Sequence, residues 1–93
     1  MKRRYRKSIP LSRERQFYIT GVSLSYREQP ESVRRRIDEL CRRACPEHYE
    51  AFHRYITNEE SGTPAMMEGF LASGTTLDRA TRKYFLMFDI WAE

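Results

Sequence analysis

Apolar side chains recur at helical spacing through the middle and the end of the chain. Val33, Ile37, Leu40, Cys41 and Ala44 stand at offsets 0, 4, 7, 8 and 11, a single stripe on one helix face. Tyr49, Phe52, His53 and Ile56 repeat the pattern at 0, 3, 4 and 7. Leu77, Ala80, Tyr84, Met87 and Trp91 mark a terminal helix, and its second half, with Phe85, Leu86, Phe88 and Ile90 added, has almost no polar side. That half belongs at the centre of the core or against another chain.

Proline and capping signals place the helix starts. Pro30 followed by Glu31, Pro46 followed by Glu47, and Pro64 after Thr63 each put proline in a first helical turn, where its missing N–H costs nothing. The last helix is expected from Thr76 to Ala92, with Thr75 and Asp78 at capping-box spacing. A shorter helix, Pro64 to Ala72, precedes it, and Asn58 to Gly62 reads as a polar loop.

Leu11 to Tyr26 is ambiguous. Leu11, Tyr18, Val22 and Tyr26 form a helical stripe, whereas Phe17-Tyr18-Ile19-Thr20 has strand character and Gly21 weakens both readings. Read as a helix, it completes an all-α bundle of five helices without internal repeats. Residues 1–8 form a basic arm, and 9–93 form one helical domain.

Composition narrows the class. A chain of 93 residues is one small domain, of the size that buries about 60% of its surface on folding. No run approaches the roughly 20 apolar residues of a membrane span. The opening Met1 to Lys7 runs into Ser8, Pro10 and Arg13 instead of an apolar signal core, so a cytoplasmic location is expected. With 13% aromatic residues, the chain has the means to fold despite its 32% charged residues.

The charge is divided. Residues 1–43 carry 13 of the 17 Lys/Arg against five acids, a balance of +8, while residues 44–93 carry four bases against eight acids. Lys2, Arg3, Arg4, Arg6 and Lys7 form an arm suited to following phosphates or entering a narrow minor groove, with Tyr5 able to stack. The Arg-rich helix is different, because Glu31 and Arg35, Asp38 and Arg42, and Glu39 and Arg43 stand acid-before-base at i, i+4. That helix face is expected to pair with itself, leaving Arg34 and Arg36 for phosphate.

A three-residue turn, Ser73-Gly74-Thr75, joins the short helix to the long one, the connection found in helix-turn-helix motifs. Over about 20 residues, and most closely at Gly74-Thr75-Thr76-Leu77-Asp78-Arg79-Ala80, the sequence resembles the turn and recognition helix of bacterial and phage helix-turn-helix regulators. It departs from them in the short spacing from Leu71 to Leu77 and in the bulk of Met67 and Phe70. The resemblance implies a small DNA-binding regulator, transcriptional or accessory to a mobile element. Thr76, Arg79, Arg82 and Lys83 would then lie in or along the major groove, Arg79 reaching guanine and Lys83 a phosphate.

Other chemistry is thin. Cys41, Cys45, His48 and His53 could in principle approach a zinc ion, but their spacing matches no common zinc module, so neither metal nor cofactor is expected. No nucleophile and base pair, phosphate loop or paired carboxylates suggest catalysis. The rival to DNA binding is a non-enzymatic interaction module, or a homodimer joined through Phe85, Leu86, Phe88 and Trp91.

Overall fold

The computed structural model describes residues 7–57 and 74–92. Among the described residues four α-helices follow one another: α1 Arg13–Leu24, α2 Glu31–Ala44, α3 Tyr49–Thr57 and α4 Gly74–Ala92. Single 3-10 turns at Tyr26–Glu28 and Pro46–His48 lead into α2 and α3. The described residues contain no strand, and within Leu11 to Tyr26 the helical reading holds over Arg13–Leu24. The expected helix from Pro64 to Ala72 lies outside the described residues.

Local chemistry accounts for the helix ends. Ser12 caps α1 by accepting the N–H of Arg15 at 3.1 Å. Pro30 sits one position before the first turn of α2, where its carbonyl accepts from Val33 and Arg34, both at 3.0 Å. Its ring holds φ at −59°, a value that serves the cap as well as the first turn. Helix α4 begins at Gly74, two residues earlier than expected, so Gly74 and Thr75 of the expected Ser73-Gly74-Thr75 turn are helical and Thr75 is not the residue before the helix. Glycine is tolerated there because first-turn N–H groups have no intrahelical acceptor to lose.

Helix α2 is the hub and packs on α3 and α4, while α1 closes the bundle against the same two helices. Ile37, Leu40 and Cys41 of α2 meet Phe52, Tyr55 and Ile56 of α3 and Ala80, Tyr84, Phe85 and Phe88 of α4. The aromatic rings lock edge to face: Phe52 and Tyr84 at 6.0 Å, and Phe88 and Trp91 at 5.1 Å between centroids. At the apolar end of α4 the chain itself buries Phe85 and Phe88, 5% and 0% exposed, while Leu86 and Trp91 are half-buried and Ile90 is outside.

Helix α1 departs most from expectation. Its buried residues are Gln16, Ile19, Thr20 and Ser23, whereas Phe17 and Tyr18 are 44% and 51% exposed. The polar side chains can be buried because each has a partner. Thr20 Oγ1 donates to the Gln16 carbonyl at 2.8 Å, and Ser23 Oγ donates to the Ile19 carbonyl at 2.7 Å. Gln16 Nε2 reaches back to the carbonyls of Ile9 and Leu11 at 3.3 and 3.1 Å. With Ile9 itself buried, that contact fixes the segment before α1 to the bundle.

Candidate nucleic-acid interface

Helix α4 separates two faces. Ala80, Thr81, Tyr84 and Phe85 are buried, while Asp78, Arg79, Arg82 and Lys83 are exposed. The separation follows from the 3.6-residue period: Arg79 and Arg82 stand three apart and Arg79 and Lys83 four apart, so the three cations share the side opposite Ala80 and Tyr84. Thr76 lies on the helical backbone of the same first turns, but its side chain is outside the described residues. Of the basic arm, Lys7 is exposed, and Lys2, Arg3, Arg4 and Arg6 lie outside the described residues.

The α2 arginines are largely engaged. Arg35 reaches Glu31 at 3.1 Å and Arg43 reaches Glu39 at 2.7 Å, as the spacing requires. Such exposed pairs contribute about 0.3–0.5 kcal/mol each. Arg36, expected to be available for phosphate, approaches Glu39 at 3.9 Å, and its guanidinium lies over the Trp91 ring at 5.6 Å. Arg42 does not take Asp38. Its guanidinium covers the Tyr49 ring at 4.6 Å instead.

Asp38 turns to other elements. Its Oδ1 accepts from the Tyr26 hydroxyl at 2.8 Å and from His53 Nε2 at 2.7 Å, tying the 3-10 turn, α2 and α3 together. Tyr26 and His53 also meet edge to face at 4.9 Å. Burial and the adjacent carboxylate push the Tyr26 hydroxyl up to about 12, so it remains a protonated donor across the neutral range. Beside this cluster lies an open groove of about 820 Å³ between the end of α1 and α3, with Tyr49, Glu50 and Arg54 on its α3 side. Spacing could not reveal this cluster, because its three members come from three elements. The nearest signal was His53 on the apolar stripe of α3.

The remaining candidate ligands stay apart. Cys41 and Cys45 are free thiols buried in the core, and burial pushes the Cys41 thiol well above the usual range and the Cys45 thiol upward. Among the described residues, no three His, Cys, Asp or Glu side chains come together as a metal site. No described helix is long and apolar enough to cross a membrane. Of the four residues of the homodimer reading, Phe85 and Phe88 are inside the core, while Leu86 and Trp91 are half-buried. What α4 leaves outside is Ile90, at 74% exposed.

Comparison with known proteins gives no significant match to any family, to any curated protein or to any solved structure.

Proposed function

We propose that this is a small, non-enzymatic DNA-binding protein, a transcriptional or mobile-element accessory regulator whose α4 lies along the major groove. The division of α4 carries this reading: Ala80, Thr81 and Tyr84 hold the helix to the bundle while Arg79, Arg82 and Lys83 face outward. Thr76, at the entry of the same helix, and Arg79 would contact base edges, and Arg82 and Lys83 would contact phosphates. Residues 64–93 are net −1, so much of the phosphate affinity must come from Lys2, Arg3, Arg4, Arg6 and Lys7. The homodimer reading is weaker, because two of its four residues are spent in the core of a single chain.

A salt series with duplex DNA tests the reading. Arg79→Ala should weaken specific binding by about 1–3 kcal/mol and relax preference at one base position. Equal affinity of wild type and variant for specific and scrambled duplexes would refute it.

A further inference from the structure

Helix α1 buries hydrogen-bonding side chains beside Ile19 and leaves aromatic ones outside. Its hydrogen-bonding residues Gln16, Thr20 and Ser23 are buried, while Phe17 and Tyr18 are two of the three large hydrophobic side chains exposed among the described residues. Between them on the outer surface is Gly21, four residues after Phe17 and three after Tyr18. A Cβ built there meets nothing within 4 Å. Glycine inside a helix is unfavourable by about 0.5–1 kcal/mol relative to alanine, and no packing contact among the described residues calls for it here. The result is two aromatic rings beside a bare stretch of backbone.

Charge narrows what could cover this shelf. Residues 1–27 contain eight Lys/Arg and one acid, Glu14. Lys7 and Arg13 are exposed where the chain enters α1, while the Arg15 guanidinium, paired with Asp89 at 2.6 Å, lies over the Tyr18 ring at 5.2 Å, and Glu14 is the exposed acid of the helix. A second copy brought face to face would set two basic segments against each other. A nucleic-acid strand supplies both flat apolar surfaces and negative phosphates, and unpaired bases stack on aromatic side chains whatever their sequence. We propose that Phe17 and Tyr18, beside Gly21, form a stacking platform for unpaired bases of single-stranded nucleic acid. The proposal rests on the nucleic-acid class of the reading above but not on the contacts made by α4.

Fluorescence anisotropy with the full chain tests it, using three labelled probes of equal length: an oligodeoxyadenylate strand, an abasic strand and a duplex. The wild type should bind the base-bearing strand about tenfold more tightly than the abasic one. Phe17→Ala and Tyr18→Ala should each lower strand affinity about tenfold without changing its salt slope, leaving abasic and duplex binding as they were. Gly21→Gln, which replaces glycine by a good helix former and fills the shelf with an uncharged side chain, should produce the same selective loss in a protein of undiminished melting temperature. Equal affinity for base-bearing and abasic strands overturns the proposal, as does strand binding indifferent to all three variants. Duplex binding without strand binding overturns it and leaves the α4 reading intact. Strand binding sensitive to Phe17, with duplex binding indifferent to Arg79, removes the α4 reading alone.

Discussion

The hydroxyls of Ser23 and Tyr84 meet at 2.7 Å in the core, joining α1 to α4 across 61 positions of sequence. Ser23 already gives its proton to the Ile19 carbonyl, so Tyr84 is the donor. Ser23→Ala and Tyr84→Phe should each lower stability by about 0.5–1.5 kcal/mol. In a double-mutant cycle by denaturant unfolding, the double variant should lose less than the two single losses together. Strict additivity would show that the contact contributes nothing of its own.

Gly21→Ala should raise stability by about 0.5–1 kcal/mol, because the backbone is helical and the space for a methyl group is open. Thermal unfolding measures this directly, and a lower melting temperature would mean that the outer surface of α1 is occupied.

Sequence periodicity revealed α2 and most of α4 and α3 because their inward faces are apolar; even so, Tyr55, buried in α3, falls outside the stripe drawn through Tyr49, Phe52, His53 and Ile56. Around α1 the same method pointed to Leu11, Tyr18, Val22 and Tyr26; Leu11, Val22 and Tyr26 do pack against the core, but Tyr18 is outside and Thr20 and Ser23 are inside. Hydropathy could not register this inversion, since those hydroxyls become buriable only once the preceding turn supplies their acceptors. The Asp38 cluster was hidden for a related reason. Spacing offered Arg42 as partner, and the tertiary fold offered Tyr26 and His53 at shorter reach. The three outward cations of α4 were legible because Ala80 and Tyr84 define the opposite face.

Tyr26 makes the fold sensitive to alkali. Its hydroxyl binds its proton more tightly when folded, at about 12 against 10.0 for an ordinary tyrosine. The stability this confers is fully present below pH 10.0 and is lost as pH rises toward 12. Asp38→Asn removes the carboxylate that reinforces burial and should bring Tyr26 part-way back, which an NMR titration of its ring resolves. An unchanged Tyr26 titration in Asp38→Asn would assign the whole shift to burial.

Both cysteines should be silent toward thiol reagents in the native state, since each is buried and each thiol is pushed up, chiefly by burial. Two thiols should then react on unfolding. Rapid labelling of Cys41 in the folded protein would contradict its place between α2 and the rest of the core.

The central claim is that the outward side of α4 holds DNA, and affinity for a duplex across a salt series tests it most directly. The account predicts a steep loss of affinity with salt for the wild type. Substituting Arg82 and Lys83 together by alanine should give a salt slope shallower by about two phosphate contacts. Arg79→Ala should instead lose discrimination between specific and scrambled duplexes at nearly the same slope. A wild type that fails to bind duplex at low salt, or one whose affinity and slope are untouched by all three substitutions, would contradict it.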